Sequence, residues 1–150
     1  MRLQIASQLA VYALLELAAH PDRPLSVGEI GRKFHVSNHH LAKVMNVLGR
    51  ARLVRAARGV GGGYQFTGNA RRTTLLDVVQ LFEDLGTGTL DLHPLGERTD
   101  EGRALHGVLC EIDDIARATL GSITIETMLK LIERDRAHRA PRALAQARHA

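Results

Sequence analysis

Apolar residues recur at helical spacing through most of the chain, and the breaks between these stripes mark its elements. Ile5, Leu9, Tyr12, Ala13 and Leu17 predict a first helix, which Pro21 stops. Ser26 with Glu29 three positions on makes a capping box, so a short helix follows with Val27, Ile30 and Phe34 on its buried face. The turn His35-Val36-Ser37 leads into a second helix capped by Ser37 or Asn38, whose inward stripe is Leu41, Val44, Met45 and Leu48. The pattern then changes. Leu53 to Ala57 and Tyr64 to Phe66 read as short strands around Gly59-Val60-Gly61-Gly62-Gly63, a run able to make a tight hairpin.

Beyond the hairpin, Thr73 or Thr74 caps a helix holding Leu75, Leu76, Val78, Val79, Leu81 and Phe82. A loop with glycines and Pro94 separates it from the longest stripe, from about Asp100 to Leu120, formed by Leu105, Val108, Leu109, Ile112, Ile115, Ala116 and Leu120. Thr124 starts a last helix with Ile125, Met128, Leu129 and Ile132. Two helices joined by a tight turn and followed by a hairpin predict a mainly α fold, a winged helix-turn-helix with a two-stranded β wing. The expected organisation is a DNA-binding domain over 1–84, a sensor-type loop over 85–98, dimerisation helices over 99–134 and a flexible basic tail over 135–150. The long stripe suits a helix pairing with a second copy; packing within one subunit is the alternative, and pattern alone does not separate them.

Composition narrows this little; charge distribution narrows it more. The 150 residues are 45% hydrophobic and 24% charged, enough for one folded core, with a formal net charge of +4. No acidic residue lies between Glu29 and Asp77, whereas Arg32, Lys33, Lys43, Arg50, Arg52, Arg55, Arg58, Arg71 and Arg72 all do. From Asp77 to Glu126 acids dominate, and Arg98, Arg103 and Arg117 are the only Lys or Arg residues. A basic half of this kind attracts polyanions, and double-stranded DNA is the commonest partner. No apolar run is long enough to cross a bilayer and the N-terminus lacks a cleavage site, so a cytoplasmic protein without membrane contact is expected.

These features set the candidate contacts. Ser37, Asn38, His39, His40 and Lys43 lie at the N-terminal, outward end of the second helix, the end that enters a major groove. Asparagine can pair with adenine, and lysine can reach guanine or phosphate. Arg58, Gly59, Gly61 and Gly62 form the wing, placed for the minor groove. The plainer alternative is a solvated polar face, but the acid-free surroundings favour DNA. GVGGG lacks the lysine and the strand–loop–helix context of a P-loop, so nucleotide binding is rejected.

Ser37, Leu41, Leu48, Leu53-Val54, Arg58-Gly59 and Gly61-Gly62-Gly63-Tyr64 together resemble the Rrf2 family of bacterial winged-helix transcription regulators, which includes iron–sulfur, nitric-oxide-sensing and cysteine-metabolism regulators. Tyr12-Ala13-Leu14 and Ser122-Ile123-Thr124-Ile125 fit the same family, over about Met1 to Glu133. The resemblance implies a homodimeric regulator, a repressor, reading a partly palindromic operator. Cluster-binding members carry three cysteines in the loop and at the start of the long helix; 90–106 has none here, Arg103 falling on the last of those positions. Gln8 stands where the nitric-oxide sensors place an acidic ligand. A standard three-cysteine iron–sulfur cluster is therefore ruled out.

Cys110 is the single cysteine, so a disulfide framework within the chain is excluded. His106 and Cys110, four residues apart, share a helical face with Asp113 and Asp114 one turn on, and His93 or Glu97 could complete a metal or unusual cluster site. A cysteine that merely packs is the competing account. Cys110 could instead act as a redox switch, although Glu111, Asp113 and Asp114 would tend to raise a thiol pKa. The default expectation is no cofactor. A winged-helix protein-interaction module is the other function class kept open, and an enzyme is not expected because no oxyanion or orienting group accompanies Cys110 and His106.

Overall fold

The computed structural model describes residues 3–59, 61–85 and 99–147, with side chains described as far as Arg139. The element order is α1 (Ile5–Ala19), α2 (Val27–Phe34), α3 (Asn38–Arg50), β1 (Val54–Ala57), β2 (Gly63–Phe66), α4 (Leu75–Val79), α5 (Asp100–Ser122) and α6 (Ile125–Ala147). The mainly helical fold with one β wing agrees with the sequence reading.

Helix α1 is the centre of the molecule. Leu9, Ala10, Val11, Ala13, Leu14, Leu15 and Leu17 are all buried, so nearly its whole circumference faces protein, and α3, α4, α6 and β2 pack around it. Leu9, Ala13 and Leu17 of the predicted stripe are buried, and two of its members are not. Ile5 and Tyr12 point outward, because a helix buried on most sides carries no clean amphipathic signal.

Local sequence explains the next elements. The Ser26 hydroxyl accepts from the Glu29 amide, while the Glu29 carboxylate accepts from the Ser26 amide at 2.8 Å, and Arg23 reaches the same carboxylate at 2.9 Å. Helix α2 ends at His35, whose left-handed φ of 55° turns the chain; the Val36 amide then bonds back to the Gly31 carbonyl at 2.9 Å. Ser37 caps α3 by accepting from the His40 amide, so Asn38 is the first helical residue. Leu41, Val44, Met45 and Leu48 are buried as the periodicity required.

The capping box has a measurable signature. The Glu29 carboxyl is lowered from 4.5 to about 2, first by the Ser26 amide, then by Arg23 and the Ser26 hydroxyl. A group held lower in the folded state stabilises above its unfolded value and ceases to as pH falls through its folded value. Denaturant unfolding from pH 5 down to about pH 2 should therefore show wild type losing more stability than Glu29→Gln, whose side chain does not ionise. Parallel curves would show that the box carries no net linkage.

The strands pair antiparallel with Val54 opposite Phe66 and Ala57 opposite Gly63. A third contact joins this hairpin to the body: the Leu25 amide donates to Tyr64 O at 2.9 Å, and the Tyr64 amide donates to Leu25 O at 2.8 Å. Gly63 lies against the Leu25 backbone where a Cβ would collide, so this close approach requires glycine. The wing is thereby fastened to the start of α2.

Helix α4 is shorter than expected. Thr74, not Thr73, caps it in a second capping box with Asp77, and after Val79 the chain tightens into turns in which Leu81 and Phe82 donate to the carbonyls of Val78 and Val79. The starts of α4 and α6 are knitted together by Leu75 N to Ile123 O at 2.8 Å and Ile125 N to Thr73 O at 3.0 Å, and Arg71 pairs with Glu126 at 3.1 Å. Helix α6 runs on to Ala147 through the stretch read as a tail from residue 135. Alanine, arginine and glutamine are strong helix formers there, which outweighs the absence of an apolar stripe.

Candidate nucleic-acid interface

On α3, burial of Leu41, Val44, Met45 and Leu48 fixes what the opposite face must be. His39, Lys43, Asn46 and Arg50 recur at intervals of four, three and four residues, all exposed, as one outward stripe. His39 and Lys43 were expected there. Asn46 and Arg50 were not, although the same helical spacing carries them. His40 is exposed on the flank, with its amide committed to Ser37.

Asn38 is exposed at the N-terminal end of α3 and also borders α2. Its side-chain amide lies beside α2: a Cβ at Gly31 would sit 2.8 Å from Asn38 Oδ1, and one at Gly28 would sit 4.0 Å from Nδ2. The exposed side chain thus borders the seam between α2 and α3, against space that glycine at 31 leaves open. Ser37 likewise serves as a cap, with its hydroxyl turned to the His40 amide.

The wing stands beside this stripe. Gly59 and Gly61 have φ of 111° and 76°, the left-handed region that favours glycine, and the Gly62 amide closes the turn on Gly59 O at 2.9 Å. Arg58 at the base of the turn is exposed. A groove between α3 and the hairpin is lined by Asn46, Gly49, Arg50, Arg55, Ala56 and Tyr64. Arg55 is held across the strands by Gln65 at 3.1 Å. Recognition helix, groove and wing therefore present Lys43, Arg50, Arg55 and Arg58 with no acid among them, the electrostatics that a phosphate backbone requires.

The long helix α5 carries the longest apolar stripe of the chain. Its stripe divides in two. Leu120 is buried, and Leu109 and Ala116 are half-buried, on a side where α5 packs against α4. Leu105, Val108, Ile112 and Ile115 are 50–60% exposed and lie on a different side at intervals of three, four and three.

His106 Nε2 lies 3.4 Å from Cys110 Sγ, so those two residues do meet on one turn. Among the described residues no three His, Cys, Asp or Glu side chains converge as a metal site would require, and His93 and Glu97 lie outside the described residues. Among the same residues, no helix is long and apolar enough to cross a membrane.

Comparison with known proteins agrees with this architecture. Residues 3–131 match the Rrf2 family model, described as an iron-dependent transcriptional regulator. The chain is 51% identical to BadM of Rhodopseudomonas palustris, described as an HTH-type transcriptional regulator, over 99% of this chain and 95% of that protein. In structure it is similar to IscR of T. potens (TM-score 0.74, 24% identity, 90% of each chain). It is also similar to CymR, the global cysteine regulator of B. subtilis (TM-score 0.74, 23% identity, 87% of this chain and 98% of that one). The iron in the family description finds a poor donor set here: one thiolate beside one imidazole cannot supply the cysteines that usually hold a cluster. The helix-turn-helix, wing and long helix match without those thiolates, and the relatives are regulators rather than enzymes: the chain belongs to the Rrf2 family of winged-helix transcriptional regulators.

Proposed function

We propose that this regulator acts as a homodimer on a partly palindromic operator and represses by occupying it. The observation that carries the reading is the outward stripe His39, Lys43, Asn46 and Arg50 beside the basic wing, on a face without acids. The stripe fits a major groove, and Arg58 at the base of the wing turn fits the adjacent minor groove, where narrow A·T tracts attract arginine. Lys43 and Asn46 are the base readers in this arrangement; Arg50 and Arg55 flank the groove between helix and wing and hold phosphate.

The exposed side of α5 supports the homodimer. Leu105, Val108, Ile112 and Ile115 form a continuous apolar seam with heptad spacing, which two copies can bury symmetrically. A symmetric pair presents two recognition helices, and hence reads two half-sites of an inverted repeat. Without a standard three-cysteine cluster, the input that controls DNA occupancy is a different one.

The test is selection of binding sites from random duplex DNA, followed by affinity measurements over a salt series. Specific binding to an inverted repeat is the expected result, with log affinity falling linearly with log salt. Arg58→Ala should weaken binding roughly tenfold and reduce the salt slope by about one contact's worth, about 0.9. Failure to enrich any sequence would overturn the reading in favour of a protein-interaction role.

A further inference from the structure

A second cleft lies on the other side of the helix-turn-helix, where α1, the end of α2 and α6 meet. Its volume is about 370 Å³, within the range of small-molecule sites. Tyr12 and Phe34, stacked with ring centroids 5.3 Å apart, form one wall, and Met128, Leu129 and Ile132 form the other. None of its lining residues comes from α5, so the apolar seam can be buried by a second copy without using this cleft's walls.

Four charged side chains line it: Glu16, Lys33, Glu133 and Arg136. Lys33 is committed to Glu16 by a short ion pair and lies 5.6 Å above the Phe34 ring. Glu133 and Arg136, one turn apart on α6, have no hydrogen-bond or ion-pair partner among the described residues. The cleft thus offers an apolar wall edged by one unspent anion and one unspent cation. A simple carboxylate would meet Arg136 but be repelled by Glu133, and a simple amine would meet the reverse. A ligand carrying both charges satisfies both without leaving either unpaired.

We infer that this cleft binds a small amphipathic zwitterion, an α-amino acid with an apolar or aromatic side chain. Its carboxylate lies on Arg136, its ammonium on Glu133, and its side chain against Tyr12, Phe34 and Ile132. The position gives binding a direct route to DNA. Phe34 is the last residue of α2, and its neighbour His35 holds the left-handed turn from which α3 departs. An occupant that shifts Phe34 shifts the turn that aims the recognition helix, which supplies an input in place of a cluster.

Calorimetric titration of the full chain with L-phenylalanine, L-leucine and L-methionine tests the site without DNA. Saturable binding is expected, at least about tenfold tighter than for N-acetyl-L-phenylalanine or phenethylamine, which each lack one charge. Arg136→Gln and Glu133→Gln, both at exposed positions, should each weaken it by about tenfold while leaving ligand-free DNA binding unchanged. No heat with any of the amino acids would overturn the proposal, as would equal binding of the singly charged analogues or undiminished binding by both variants. Binding seen only at protein concentrations too low for dimers would also overturn it, by showing that a second copy covers the cleft. The link to DNA rests on the function proposed above and is read separately: saturating L-phenylalanine should change affinity for the selected operator several-fold. Calorimetric binding with unchanged operator affinity would overturn the coupling alone, whereas loss of operator selection without ligand would overturn the DNA reading and leave the cleft standing.

Discussion

Replacing Ile112 with aspartate should convert the proposed dimer into a soluble monomer and lower operator affinity by two or more orders of magnitude. Ile112 is the middle of the exposed α5 seam and is 54% exposed in the single chain, so the carboxylate costs the monomer little. In a dimer the same position is buried against its own symmetry mate. The substitution therefore places two carboxylates in one apolar interface, where neither has a partner and each repels the other. Monomers keep one recognition helix each and lose the effective concentration that couples two half-sites, a factor that alone reaches 10²–10⁴ in comparable bivalent systems, roughly. Sedimentation or light scattering reads the association state, and circular dichroism reads the fold. A variant that remains dimeric and binds normally would remove α5 from the interface.

The second large effect is expected at the recognition stripe. Lys43→Ala combined with Arg50→Ala should reduce operator affinity by about 10²–10³, relaxing base preference through Lys43 and lowering the salt slope by about one contact's worth, about 0.9, through Arg50. The two residues are seven apart on the outward side of α3, both exposed and neither part of the buried stripe, so stability should change by less than about 0.5 kcal/mol. Asn46→Ala should behave differently, relaxing preference at one base position while leaving the salt slope unchanged, because a neutral reader releases no counterions. Binding measured against the selected operator and its single-base variants separates the two. A double variant with unaltered slope would place the phosphates elsewhere.

The parts of this fold that sequence made legible are those whose interactions are local. Ser26 with Glu29, Ser37 as a cap and the α3 stripe are all written within a few residues, and each lies where spacing put it. The glycines of the wing are legible for the same reason: a tight turn needs its φ values at adjacent positions. What was missed depends on distant neighbours. The Leu25–Tyr64 bridge joins segments separated by the whole helix-turn-helix, and no pattern around Leu25 announces a strand. That the exposed Asn38 side chain also abuts Gly31 is a contact between two helices that local pattern does not show. The α5 stripe contained both of its faces at once, and only packing against α4 shows which apolar residues remain exposed among the described residues. Asn46 and Arg50 were within reach, since the inward stripe defines the outward one.

The division of α5 into two sides also bears on how such regulators diverge. A cell that duplicates a gene of this kind at first makes two proteins that pair indiscriminately, and mixed pairs read hybrid operators. Here the exposed residues of the proposed dimer seam, Leu105, Val108, Ile112 and Ile115, are not those that anchor the helix, Leu109, Ala116 and Leu120. A daughter copy can exchange bulky for small side chains along the first set, or add a complementary charge pair, without loosening its own core. Insulation between paralogues is thus open to single substitutions, each tolerated by the fold on its own.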